Sequence, residues 1–284
     1  MSALEWALRW LALAALALLT GAVGCEALAL RGKSSAALRT QAKLVYLVIT
    51  RSALGLFALA AGLGVGARWL AGTVAVREVS LFVAQLVLAG ATLPALLRDK
   101  PGVALGGCAL LLLTRSLGSR SAELPEWLLP VAADWLHATA AAFWLGGVAY
   151  LLLVLVPLAL RHRLLGELGA AVERFSPLAV AAVIVIGLTG LMQSASFMRS
   201  YDDLVATAYG QALLIKSAGF AALIALGAFH QFAIGPRLRL WRARAAQAEA
   251  AARRFRISLA IEVTVGLGVL ASAVAMTLLP APAG

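Results

Sequence analysis

Residues 129–158 read LPVAADWLHATAAAFWLGGVAYLLLVLVPL. Asp134 and His137 are the acidic and basic side chains of that run. It exceeds the ~20 apolar residues that cross a bilayer core, so it reads as a transmembrane helix. Seven more apolar runs lie around it, at about 4–28, 44–66, 79–97, 102–118, 174–198, 207–235 and 257–279. The weakest is 102–118, which opens at Pro101-Gly102 and carries Gly106-Gly107. The expected fold class is therefore all-α: a polytopic transmembrane helical bundle of about eight spans. It divides into an N-terminal four-helix half, 1–125, and a C-terminal four-helix half, 126–284. The first run reads as a retained helix, not a signal peptide. Glu5 accompanies Arg9 near its start, and Ala22-Val23-Gly24-Cys25 is a poor lipoprotein cleavage match.

Composition agrees. The chain has 284 residues, of which 62% are hydrophobic and 13% charged. That is about half the charge of a soluble domain, and it excludes disorder and a disulfide scaffold. Cys25 and Cys108 sit in apolar stretches without CxxC spacing and read as small buried hydrophobes. The net charge is +11. Its basic residues lie between apolar runs, so they fix topology and meet anionic lipid headgroups rather than nucleic acid. One set of loops holds Arg31, Lys33, Arg39, Lys43, Arg98, Lys100, Arg161, Arg163, Arg174 and the cluster from Arg237 to Arg256. The opposite set holds Arg68, Arg77, Arg115, Arg120 and Arg199. The positive-inside rule places the richer set in the cytoplasm and both termini outside, in a bacterium the periplasm.

At membrane depth the informative residues are polar or soft ligands, and they gather in the last four helices. Asp134, His137 and Trp144 share one face of the fifth helix. Thr189, Gln193 and Ser196 form a stripe on the sixth, flanked by Met192, with Met198 at its outer mouth. Tyr209, Lys216 and His230 share a face of the seventh, and Glu262 and Met276 a face of the eighth. Depth sorts them into an outer group (His137, Met192, Met276) and an inner group (His230, Glu262), with Lys216 between. Imidazole with thioether suits a soft ion such as Cu(I), and imidazole with carboxylate also admits Cu(II) or Zn(II). His230–Glu262 equally fits a proton relay or a structural hydrogen bond. Plainer roles stay open for the rest. Met192 and Met276 fit packing, His137 a bond to a carbonyl, and Asp134 a cap. Lys216 fits snorkelling or a carboxylate partner, and Trp144 and Tyr209 fit packing or an interfacial belt. Gly62-x-x-x-Gly66, Gly146-Gly147 and Gly187-x-x-Gly190 read as close helix contacts.

The stretch Asp134-Trp-Leu-His-Ala-Thr-Ala-Ala-Ala-Phe-Trp-Leu-Gly-Gly147 resembles the signature of the CopD family of bacterial copper-resistance membrane proteins. Three further blocks fit it: Arg174-Phe-Ser-Pro177 leading to Thr189-Gly190, Ala208-Tyr-Gly-Gln-Ala-Leu-Leu-Ile-Lys216, and Arg254-Phe-Arg-Ile-Ser-Leu-Ala-Ile-Glu262. The match covers about residues 130–280. The resemblance implies a multi-pass protein of the bacterial inner (cytoplasmic) membrane that moves copper from periplasm toward cytoplasm. It also implies a periplasmic copper-binding partner of the CopC type. The motif residues carried over are Asp134, His137, Trp144, Gly146, Gly147, Tyr209, Gly210, Lys216 and Glu262.

The leading expectation is thus a copper permease, with copper as its metal and a His/Met-lined path in the C-terminal helices. The alternative is a non-transporting membrane subunit or assembly factor that handles copper for a larger respiratory complex. Partners are lipids, a homo-oligomer or a larger membrane complex. Haem is not expected, because His137 and His230 lie ~24 Å apart in depth at ~1.5 Å per residue. Nor is catalysis, because no phosphate loop, HExxH or Ser/His/Asp constellation is present.

Overall fold

A computed structural model describes residues 3–30, 32, 35–198, 200–234, 245–277 and 279–280. Among these, eight long helices follow one another with no strand. They are α1 (Ala3–Ala29), α2 (Ala36–Leu70), α3 (Val76–Leu97), α4 (Pro101–Leu117), α5 (Leu128–His162), α6 (Leu165–Phe197), α7 (Ala208–Phe229) and α8 (Ala245–Met276). Seven are long and apolar enough to cross a membrane. The 17 residues of α4 extend ~26 Å, close to a hydrocarbon core of ~30 Å. The chain is an all-α polytopic membrane bundle.

Local sequence sets the helix ends. Pro101 opens α4 at its first turn, where its missing N–H costs nothing. The Thr207 hydroxyl caps α7 by accepting from Gly210 N at 2.9 Å. Gly72, at φ +67°, turns the chain after α2. Three helices start earlier than hydropathy predicts: α2 at Ala36, α6 at Leu165 and α8 at Ala245. Arg39, Lys43, Arg174, Arg253, Arg254 and Arg256, expected in loops, are therefore helical. Hydropathy marks the segment that avoids water. Ala, Arg, Glu and Gln have high helix propensity and carry the backbone ladder beyond it. Arg115, also expected in a loop, lies in the last turns of α4. Arg31, Lys33, Arg199, Arg237, Arg239, Arg242 and Arg244 fall outside the described residues.

Cross-links at the two ends fix an alternating up-and-down order. At one end, Arg68 pairs with Glu78 across the α2–α3 turn. There Arg120 also donates to the carbonyls of Thr277 and Leu279, at 2.8 and 2.6 Å. At the other end, Leu38 N donates to Glu167 Oε2 at 2.7 Å, and Arg174 Nη1 donates to Ala29 O at 3.1 Å.

The centre of the bundle is α5. It packs against α1, α4, α6 and α8. The tightest approach is to α1, where a Cβ on Gly21 would strike the backbone of Gly146 and Gly147, and a Cβ on Gly146 would strike Ala17 O. Small residues let helices close to backbone contact where lipid offers no hydrophobic drive. The other glycine pairs differ. A Cβ on Gly62 would lie 3.2 Å from Phe82 Cζ, but Gly66 and Gly187 face open space. Only one residue of each of those pairs thus meets a neighbour, because a spacing of three or four residues puts two glycines on one face without deciding what that face packs on. Gly190 meets a side chain rather than a helix backbone: its Cβ would lie 3.6 Å from His137 Cε1.

Gly146→Ala therefore forces α1 and α5 apart, and about 1–3 kcal/mol of stability is lost. Gly187→Ala fills open space and stays within about 0.5 kcal/mol of the parent. Thermal unfolding of the detergent-purified proteins checks both.

Candidate functional site

The end of the bundle that holds the first residues of α5 carries an outer polar group. Asp134 sits in the second turn of α5, 8% exposed, with Oδ2 2.6 Å from Arg115 Nη1 on α4. It is an inter-helix ion pair, so the cap reading fails: α5 starts at Leu128, six residues earlier. One turn inward, His137 Nδ1 lies 3.1 Å from Thr189 Oγ1 on α6, and that hydroxyl also donates to its own helix at Val185 O. Lys216 of α7 lies within electrostatic reach of His137, Asp134 and Arg115. Four helices thus contribute to one group.

Outside it opens a cavity of about 240 Å³ lined by Ser121, Leu129, Ala133, Met192, Gln193 and Ser196, among others. Gln193 stands one turn beyond Thr189 on the same face of α6. Its Nε2 is buried and has no hydrogen-bond partner among the described residues. Met192 is 41% exposed, whereas Met276 is buried near the end of α8. Two turns inward of His137, Trp144 packs edge-on against Phe220 of α7, with ring centroids 6.1 Å apart. Tyr209 packs on Phe197 near the outer end, centroids 6.5 Å apart.

Beyond the Trp144–Phe220 pair lies the inner group. His230 opens a π-helical turn, His230–Ile234, that continues α7. Its Nδ1 is 3.1 Å from Glu262 Oε2 of α8, and its Nε2 is 2.7 Å from Ser258 Oγ one turn away. Glu262 is 2% exposed. Its Oε2 meets the imidazole at ion-pair distance without hydrogen-bond alignment and has no hydrogen-bond partner among the described residues. The predicted His230–Glu262 pair is thus in contact. Among the described residues, no group of three or more His, Cys, Asp or Glu converges as a metal cage would require.

Two residues escaped the reading of the sequence. Arg115 was counted as a loop charge, and its place in a helix facing Asp134 depends on how α4 packs. Glu26 closes the first apolar run, where a carboxylate is itself a signal. It is buried against Tyr150 of α5 and Arg39 of α2.

Residues 169–276 match the family profile of copper resistance protein D. Over that stretch the chain is similar to the CopD family. The copper transport protein CutJ of Bacillus subtilis (strain 168) is 41% identical over 120 residues, which cover 42% of this chain and 22% of that relative. No solved structure matches. The CopD segment holds Thr189, Met192, Gln193, Tyr209, Lys216, His230, Glu262 and Met276. Asp134, His137 and Trp144 reach it from α5, which precedes it.

If the Arg115–Asp134 pair holds α4 to α5, Asp134→Asn leaves a half-buried guanidinium uncompensated. About 1–3 kcal/mol is then lost, less than for a fully buried pair because Arg115 keeps some solvent. The Arg115→Gln/Asp134→Asn double variant recovers most of that loss. Melting curves of the two single variants and the double variant measure the coupling.

Proposed function

We propose that this chain carries copper across the inner membrane of a bacterium, from the periplasm toward the cytoplasm, by way of the polar groups of α5 to α8. The observation that carries this reading is the His230–Glu262 pair inside the CopD segment. A carboxylate oxygen at 2% exposure without a hydrogen-bond partner is costly. If His230 donates to Ser258 through Nε2, its Nδ1 lone pair faces that oxygen at 3.1 Å. Two acceptors at that distance repel unless a proton or a metal ion stands between them. Imidazole nitrogen with carboxylate oxygen is a donor set that copper accepts.

The outer group gives the entrance. Met192 and Gln193 line the outer cavity, and His137 lies one turn further in. On this reading Met192 and His137 receive the ion, Met276 offers a second sulfur on α8, and Gln193 orients what arrives. Arg115 and Lys216 place two positive charges near His137 against the one carboxylate of Asp134. A cation is therefore held weakly there, as passage requires. Trp144 and Phe220 separate this group from the inner one, and their movement apart would connect the two. Tyr209 braces the outer end of α7. A CopC-type periplasmic protein would deliver copper at the outer cavity. The half 126–284 carries the path, and 1–125 braces it through the α1–α5 contact. The reading makes the protein a transporter, not an enzyme.

A second reading has one observation in its favour. The membrane-spanning part of α7 is far less buried than any other span, as expected of a helix covered by another subunit. In that case the protein is a membrane subunit or assembly factor for a larger copper-dependent complex, and it co-purifies with that complex without moving copper itself.

Copper flux into proteoliposomes holding the purified protein decides between them. His137→Ala and Glu262→Gln each reduce flux by about tenfold or more, the usual loss when a metal-site group is removed. Flux that survives both changes overturns the path.

A further inference from the structure

We propose that Glu26 is a proton-exchanging site at the basic end of the bundle, and that the proton bound there is the ion coupled to movement of the cargo. The proposal rests on the transport reading above and names its coupling ion. It uses residues that lie outside the CopD segment and outside the copper path.

Glu26 sits in a π-helical turn, Cys25–Ala29, at the end of α1. A second π-helical turn, Leu151–Leu155, begins directly after Tyr150 of α5. Such turns break the regular ladder and concentrate where a side chain has a task. Between the two turns, Tyr150 donates its hydroxyl to Glu26 Oε1 at 2.9 Å, and Arg39 Nε donates to Oε2 at 3.0 Å. Arg39 is shared. Its Nη2 also reaches Asp99 Oδ1 at 3.4 Å, and Lys43 Nζ stands 3.5 Å from Asp99 Oδ2. Side-chain exposure is 2% at Glu26, 38% at Arg39, 36% at Asp99 and 57% at Lys43, so every contact beyond Glu26 reaches water. A buried carboxylate is thereby linked to water by groups that ionise or hydrogen-bond.

The surroundings contain no second cation bonded to Glu26 among the described residues. Arg39, Lys43 and Tyr46 face the site from α2, and Asp99 from the α3–α4 turn. Cys108 comes from α4 beside Tyr46, and Tyr150 from α5. From α6, Glu167 binds Leu38 N, and Arg174 binds Ala29 O and Ser35 Oγ. Cys25 is buried on α1 itself.

A proton from the aqueous face adds to a Glu26 carboxylate oxygen, and the group becomes a neutral acid. Arg39 loses its inner ionic partner and keeps Asp99, so the bond that ties α1 to α2 at this end is released. Loss of the proton restores it. Because Tyr150 and His137 stand on the same helix, the state of Glu26 acts on the helix that carries the path.

Infrared difference spectra of the purified protein between acidic and alkaline buffers test the site without any flux. A protonated-carboxyl band is expected in the parent and is absent from Glu26→Gln. Tyr150→Phe keeps the ring and its packing on Tyr46 but displaces the band in frequency, which covers the case in which Glu26→Gln does not fold. In proteoliposomes, copper flux through the parent responds to an imposed pH gradient, and flux through Glu26→Gln does not. A band that persists in Glu26→Gln and stays put in Tyr150→Phe overturns the site. Parent flux that ignores the gradient overturns the coupling and leaves the copper path standing. A parent that moves no copper overturns the transport reading and the coupling together, and the infrared result identifies that case because it needs no flux.

Discussion

Inside a bilayer core there is no water to satisfy a polar side chain, so each one binds within the protein or goes without. That constraint organises this bundle. Asp134 takes Arg115, His137 takes Thr189, Glu26 takes Tyr150 and Arg39, and His230 takes Ser258. Each bond joins two helices. Among the described residues, Ser116, Thr139, Gln193 and Glu262 each keep a buried polar atom without a hydrogen bond, and Glu262 is the acidic one, its oxygen facing an imidazole at ion-pair distance. In a low-dielectric interior that arrangement calls for a cation.

The backbone contact between α1 and α5 gives these groups their positions. With Gly21 against Gly146 and Gly147, α5 is held from the N-terminal half while its other faces remain available to α6 and α8. Along α5 the polar contacts then fall at two depths, Asp134 and His137 near its start and Tyr150 about three to four turns further on. The Trp144–Phe220 pair lies between the outer and inner polar groups of the C-terminal helices. Removing the α1–α5 contact would loosen the contacts at both depths at once.

Much of this was legible in the sequence. Apolar runs gave the helices, and the long polar spacings on the seventh and eighth helices placed His230 and Glu262 at one depth, where the structure brings them into contact. What stayed hidden has physical causes. Hydropathy reports transfer out of water, so it misplaced the starts of α2, α6 and α8, whose first turns are helical and polar. Two glycines four apart define a face but not its neighbour, as Gly66 shows. Arg115 could be joined to Asp134 only once the packing of α4 on α5 was known. The π-helical turns after Gly24 and Tyr150 leave no trace in an apolar pattern. Glu26 was a visible signal, a carboxylate in an apolar run, and its partner Tyr150 lay hidden among the leucines of α5.

The central claim is that the carboxylate of Glu262, one oxygen of which lacks a hydrogen bond, and the imidazole of His230 form a station for copper. X-ray absorption of the copper-loaded, purified protein tests it most directly. The account predicts nitrogen and oxygen scattering in the first coordination sphere, with the oxygen contribution lost in Glu262→Gln and the imidazole contribution reduced in His230→Ala. A copper environment identical in the parent and both variants would contradict it.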